Sequence, residues 1–281
     1  MNTLFVYNKK AGKKFEPSIV NKISNLVPQG IDFSFVDIRD FDSFDTSLFD
    51  TLVAIGGDGT VNTVAKRAKE ESKTLSIIPK GSGDGLARFL GISKNINKAI
   101  ETLWHGTTIH IDTADVSDHF FINVAGAGFE AEVAHKFGRE GVRGLKGYAK
   151  TIIQCFDKRS EKKVRLLMDG KESFLPFFSL SIANGAQWGN NFEIASNADI
   201  QDGYLDVAIM RKPKIHQIPR LIRYLRSKNQ KDSSLFSYFK AEKIDINKSG
   251  KYWHIDGEPV LLKKTKTVTV SPKSLKIIVP K

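Results

Sequence analysis

The sequence predicts an α/β domain with a doubly wound parallel sheet, followed by a β-sandwich domain. Three observations carry that prediction. Up to about residue 105, short apolar runs alternate with segments of helical periodicity. Beyond it, extended runs follow one another with turn signals between them. Three of the early strand-like runs are followed by glycine-bearing loops, at the edge where parallel sheets bind ligands.

The first run is LFVY (4–7), after which Phe15, Ile19, Ile23, Leu26 and Val27 recur at helical spacing. FSFVDI (33–38) and TLVAI (51–55) read as strands, VNTVAKRAKEE as a helix, and LSIIP (75–79) as the next strand. The segment 109–129 reads as two extended runs joined at Ser117–Asp118, and 162–185 as a pair joined at Asp169–Gly170. YLDVAIM, AEKIDIN, YWHIDGEPV and TVTV continue the β series, with helices expected over about 144–156 and 214–228. The expected domains are therefore 1–108 and 109–271, with the apolar LKIIVP at the C-terminus free to return to the first sheet.

The bulk numbers suit a globular chain of this kind. Its 281 residues are 41% hydrophobic and 26% charged, and the formal net charge is +12. That charge suggests an anionic partner: nucleic acid, a membrane surface or a phosphorylated small molecule. One cysteine, Cys155, excludes an internal disulfide. No apolar run approaches the roughly 18–20 residues of a membrane span, and the N-terminus lacks the order of a secretory signal, so a cytoplasmic protein is expected. The six histidines show no zinc-binding spacing. No RNA- or DNA-binding signature accompanies the charge, so nucleic acid is not expected as a partner.

The glycine loops are NKKAG (8–12), GGDGT (56–60) and GSGDG (81–85). A single such loop is readily explained as a tight turn. Three at one sheet edge point to phosphate, because N–H groups without a neighbouring Cβ can approach it and the next helix N-terminus adds its dipole. The spacing fits neither the Walker A pattern nor a dinucleotide fingerprint. A carboxylate beside phosphate is repulsive unless a cation intervenes, so Asp58 argues for Mg²⁺ held through water. The alternative is an N-cap for the helix that follows, a task Thr60 could share.

These residues resemble the diacylglycerol kinase catalytic family, which includes sphingosine and ceramide kinases and soluble bacterial lipid kinases. The resemblance rests on Gly56–Thr60, on Pro79–Arg88, and on the later blocks GAGFEAEV (126–133), 182–207 and HIDGEPV (254–260). It implies a Rossmann-like nucleotide-binding domain, a lipid-binding β-sandwich, and ATP bound in the cleft between them. By position, it implies phosphate contacts from Asn8, Lys9, Lys10 and Gly12, with Lys9 standing where the family has proline. It implies a triphosphate site at Gly56, Gly57, Asp58, Gly59, Thr60, Asn62, Gly81 and Ser82, and a nucleotide contact at Asp37. It implies a second cation site in the DGxLD turn, from the Asp202 carboxylate with the carbonyls of Asp199 and Tyr204. The family's catalytic base falls on Asp256-Gly257-Glu258, with Glu258 the matching position and Asp256 and Asp58 as competitors; on local grounds alone Asp-Gly is a hairpin signal. Asp84 replaces the family's asparagine and adds a negative charge that Mg²⁺ or a lysine must offset.

The expected reaction is ATP- and Mg²⁺-dependent phosphorylation of a lipid hydroxyl, on diacylglycerol or a sphingoid or ceramide-type lipid. The rivals are an NAD kinase-like enzyme, which shares GGDGT, and a catalytically silent binding module. The stretch Arg211–Lys231 holds eight Lys/Arg and no Asp or Glu, with Ile215, Ile218, Leu221, Ile222 and Leu225 at helical spacing. It reads either as an anionic-membrane contact or as a helix docked on the sandwich with a solvated basic face. Arg139, Arg143, Lys146 and Lys150 form a second basic run. Pro219 suits only the first helical turn. The oligomeric state is left open, a dimer included.

Overall fold

The structure, a computed structural model, describes residues 2–9, 17–140, 154–156, 159–189, 191–227, 234–263 and 265–281. The expected helix over 144–153, the second basic run from Arg143 onward, and Lys10, Gly12 and Lys231 lie outside the described residues; so does the side chain of Arg139. Two compact units are present: Met1–Asp112 with Gly189–Asn191 and Lys273–Lys281, and Thr113–Trp188 with Phe192–Pro272. The division falls inside a strand, four residues beyond the boundary read from the sequence.

The first unit contains β1 (Thr3–Tyr7), α1 (Pro17–Ser24), β2 (Phe33–Asp37), β3 (Thr51–Gly56), α2 (Asp58–Glu70), β4 (Thr74–Pro79), α3 (Gly85–Phe89), α4 (Ile96–His105) and β5 (Thr107–Val116) as far as Asp112. Its parallel strands run in the order β2-β1-β3-β4. β3 is buried along its whole length, as expected for a central parallel strand covered on both faces. Phe5, Val53, Ile55 and Ile78 pack with Ile23 of α1 and with Ala99, Ile100 and Leu103 of α4. The other helix, α2, turns Val61, Val64, Ala65 and Ala68 inward, a spacing that keeps one face on the core. Asn95 starts α4 by accepting the N–H groups of Asn97 and Lys98.

The second unit continues with β6 (His119–Phe121), β7 (Val124–Gly128), α5 (Phe129–Glu140), β8 (Lys162–Met168), β9 (Lys171–Phe177), β10 (Ser179–Ala183), β11 (Gln187–Gly189), β12 (Phe192–Glu193) and β13 (Leu205–Met210). It ends with α6 (Ile218–Leu225), β14 (Phe236–Ala241), β15 (Lys243–Asn247), β16 (Tyr252–Ile255), β17 (Glu258–Leu261) and β18 (Lys266–Val279). One layer is the sheet β14-β13-β10-β7-β16-β17, in which neighbours are antiparallel. The other holds β9-β8-β15 with the start of β18, and the β5–β6 hairpin. Val164, Leu166 and Ile244 from one layer meet Leu180, Val207 and the fully buried Trp253 from the other, which makes the unit a β-sandwich. Turns at Ser117 and at Asp169–Gly170 take positive φ and close their hairpins in register. β18 serves both units: Thr269 faces Lys243 of β15 antiparallel, whereas Lys276 and Ile277 face Thr74 and Leu75 of β4 in parallel.

Candidate active site

Register brings the expected phosphate residues to one edge of the first sheet. Tyr7 is level with Asp37 and with Ile55, and Gly56 is level with Pro79. Asn8, Lys9, Asp37, GGDGT and GSGDG therefore all stand at or just beyond the carboxyl ends of parallel strands. The two Gly-rich loops touch. A Cβ on Gly81 would lie 2.5 Å from the Cα of Gly57, and one on Gly56 would lie 2.4 Å from Oγ1 of Thr60. Neither position tolerates a side chain without moving backbone or helix.

Asp58 joins these loops. Its Oδ2 accepts the N–H of Asp84 at 3.0 Å and its Oδ1 that of Gly85 at 2.8 Å, so it caps α3 from 26 residues away. Its own helix, α2, begins at Gly57 with no side-chain cap. The N-cap position expected for Asp58 or Thr60 at α2 is thus taken by Gly57. Asp84 holds a left-handed conformation, with φ 49°, and is buried. One of its oxygens accepts Gly81 N–H at 2.8 Å, and the other pairs with Lys94 Nζ at 2.7 Å. Lys94 also donates to the Gly81 carbonyl. The added charge of Asp84 is therefore met by a lysine of the same unit. On the other side of the loop, Arg88 donates to the Gly83 carbonyl and to Asn191 Oδ1, and Gly189 packs against Gly83.

Asp37 is buried at the end of β2, and Arg39 grips it with two guanidinium hydrogen bonds of 2.9 and 3.0 Å. Lys9 stands 3.7 Å from the same carboxylate. The Arg39 hydrogen bonds hold the Asp37 carboxyl low, at about 2. Asp37 is thereby committed to Arg39, and Arg39 and Lys9 are the exposed cations that its position offers.

The DGE segment lies in the second unit. Asp256 and Gly257, with φ 47° and 89°, form the turn between β16 and β17, so the hairpin reading of Asp-Gly holds. The Asp256 carboxylate is buried and accepts three backbone N–H groups: Ile122 at 3.1 Å, Asn123 at 2.9 Å and Val124 at 3.0 Å. Those bonds fix the turn against the start of β7. Both Asp256 oxygens are thus engaged in holding that turn. Glu258, two residues on, is exposed, and its carboxylate meets no described residue. Behind the turn, His254 is buried with Nε2 3.8 Å from Glu130 Oε1, which also accepts Ser181 Oγ at 2.8 Å.

Two family models match this chain: a diacylglycerol kinase catalytic domain over residues 2–116, and a YegS C-terminal NAD kinase beta sandwich-like domain over 123–279. The chain belongs to the diacylglycerol kinase family. Among its relatives, the diacylglycerol kinase of Bacillus subtilis is 29% identical over 219 residues, covering 75% of this chain and 71% of that one. A Pseudomonas aeruginosa protein described as "Probable lipid kinase YegS-like" is 30% identical over 236 residues, covering 82% and 76%. A diacylglycerol kinase structure from Bacillus anthracis superimposes with TM-score 0.75 at 19% identity, covering 99% and 96%. A second structure from that organism reaches 0.80 at 22%, with the same coverage. These structures share the fold: a parallel-sheet domain followed by a β-sandwich. The chain is a kinase, and its family is one of lipid kinases.

At the DGxLD turn, the residues expected to bind a cation make contacts within the chain. Asp202 Oδ1 accepts the Tyr204 N–H at 3.0 Å, and its Oδ2 meets Lys240 Nζ at 2.5 Å. The Asp199 carbonyl accepts the Asp202 N–H, and its carboxylate accepts that of Gln201. No group of three or more metal-ligating side chains is arranged for an ion among the described residues. Both oxygens of the one carboxylate expected as a ligand are thus engaged by groups of the chain itself.

The basic stretch resolves into a single turn of tighter helix at Ile215–Gln217 and α6, with Pro219 in the first turn of α6. Leu221, Tyr224 and Leu225 pack on Val124, Ala183 and Ala208, so that part of the stripe is docked. Ile215, Ile222, Arg220, Arg223 and Arg226 stay exposed. No described helix is long and apolar enough to cross a membrane. Sequence reading missed Arg39, Lys94, Lys240 and Asn191. Only Arg39, two residues after Asp37, carried a local signal; the other three meet their partners at least 10 residues away.

Proposed function

We propose that this lipid kinase transfers the γ-phosphoryl group of ATP, as its Mg²⁺ complex, to the hydroxyl of diacylglycerol or of a sphingoid or ceramide-type lipid. The observation that carries this reading is the uncapped N-terminus of α2. It rises from Gly57 directly beside Gly81, where N–H groups and the helix dipole suit a polyphosphate. Lys9 and Arg39 add positive charge at the same edge.

The lipid oxygen forms a bond to the γ-phosphorus, the bond from that phosphorus to the β-phosphate oxygen breaks, and ADP leaves. Glu258 takes the hydroxyl proton, because it is the one carboxylate of the three candidates whose oxygens no described residue engages. Mg²⁺, when bound, would supply positive charge against the phosphates. Asp58 would hold it through water, since each of its oxygens already accepts an N–H. Peripheral contact with an anionic membrane, in the cytoplasm, would use the Arg220–Arg223–Arg226 face with Ile215 and Ile222.

Radiolabelled ATP, Mg²⁺ and vesicles carrying diacylglycerol, sphingosine or ceramide test the reading. It expects a labelled, chloroform-soluble product from one of these lipids. Label appearing in NADP with no lipid product would replace it with an NAD kinase-like activity. No transfer to any acceptor would leave a silent binding module.

A further inference from the structure

The Asp199–Tyr204 turn carries a cation of its own. It leads into β13, where Asp206 is buried. The register of β13 against β14 sets Asp206 directly opposite Lys240. From that place the Lys240 side chain reaches both carboxylates: Nζ lies 2.5 Å from Oδ2 of Asp202 and 3.6 Å from Oδ2 of Asp206. The covalent stem comes from a neighbouring strand, so the ammonium ties the turn to β14 as a metal ion would tie its ligands together.

The coordination arithmetic favours the ammonium. Mg²⁺ requires six oxygens near 2.0–2.1 Å, and Ca²⁺ six to eight. Here the carboxylate expected as the main ligand has one oxygen on a backbone N–H and the other on Lys240. A divalent ion at this place would also face a fixed positive charge a few ångströms away. An ammonium needs only a few acceptors, and the two aspartates supply them. Burial of Asp206 demands a nearby positive charge in either case. We propose that the Lys240 ammonium is the resident cation of this turn, holding Asp202 and Asp206 in place of a divalent metal ion. The consequence is a second unit whose stability is independent of Mg²⁺ and Ca²⁺, whatever the kinase's nucleotide and lipid.

Thermal unfolding of the full chain tests this without nucleotide or lipid, in EDTA and in 5 mM MgCl₂ or CaCl₂ at matched ionic strength. The wild-type protein is expected to unfold at the same temperature in all three. Lys240→Met is expected to unfold a few degrees lower in EDTA and to regain part of the loss with CaCl₂, unless Asp202→Asn is also present. A divalent-dependent rise in the wild type that Asp202→Asn abolishes would overturn the proposal. So would a Lys240→Met protein as stable in EDTA as the wild type. If Lys240→Met does not fold, Asp202→Asn alone decides: a lowered, metal-independent transition supports the proposal, and an unchanged one overturns it.

Discussion

Glycine is used for opposite reasons in the phosphate-edge loops of the first unit and in the hairpin turns of the second. In the first, Gly56, Gly57 and Gly81 have no positive φ; they are glycines because other atoms occupy the space of a Cβ, backbone at Gly57 and Gly81 and the Thr60 side chain at Gly56. In the second, Gly170 and Gly257 face open space but hold φ of 83° and 89°. The first kind lets two loops pack into one phosphate edge, and the second only bends a hairpin. The carboxylates divide in a parallel way. Asp58 and Asp256 spend their oxygens on backbone N–H groups, whereas Glu258, adjoining a bending glycine, stays available.

The largest effect should fall on that available carboxylate. Glu258→Gln is expected to lower the rate of lipid phosphorylation on the order of 10²–10⁴-fold with an unchanged melting temperature. Asp256→Ala is expected to cost about 2–3 kcal/mol of stability by stranding buried N–H groups, measured by urea unfolding. A stable, inactive Asp256→Ala protein would instead return Asp256 to the chemistry. Gly81→Ala should cost about 1–3 kcal/mol, since Gly57 backbone must give way, and should raise the KM for nucleotide more than for lipid. Equal stability would mean that the loops are not packed together as described.

Asp37 gives a pH-dependent comparison. Its folded carboxyl is held at about 2, against an ordinary value of 3.8, so its contribution is present above about 4 and lost as pH falls toward 2. The difference in melting temperature between wild type and Asp37→Asn should be constant from pH 8 to about 5 and should shrink below 4. Asp206 titrates the other way. Burial raises it to about 6, so what favours the folded state below about 4 is lost as pH rises through 6, and Asp206→Asn should remove that slope. The smallest effect belongs to the bending glycines: Gly170→Asn should cost under about 1 kcal/mol, because asparagine tolerates a left-handed turn where space is open. A loss as large as that of Gly81→Ala would erase the distinction between the two kinds of glycine.

Much of the architecture was legible because it is periodic or local. Buried parallel strands read as apolar runs, α2 and α4 show helical spacing, and Asp169–Gly170 and Asp256–Gly257 announce their turns within two residues. The family motif likewise placed the glycine loops, since each follows its strand directly. The partners of the charged groups were not legible. Asp58 meets Asp84 and Gly85 only because β3 and β4 pair with Gly56 level with Pro79. Lys94 meets Asp84 after the chain has left α3, and Lys240 meets Asp206 through the β13–β14 register.

By itself, then, the sequence determined the parallel-sheet unit, the sandwich and the edge where phosphate chemistry belongs, because burial periodicity and backbone conformation are properties of neighbouring residues. Tertiary structure decided which carboxylate is free, where the last strand pairs, and that an ammonium stands in the DGxLD turn. Those outcomes depend on hydrogen bonds and charge pairs between residues brought together by strand register, which no local pattern encodes.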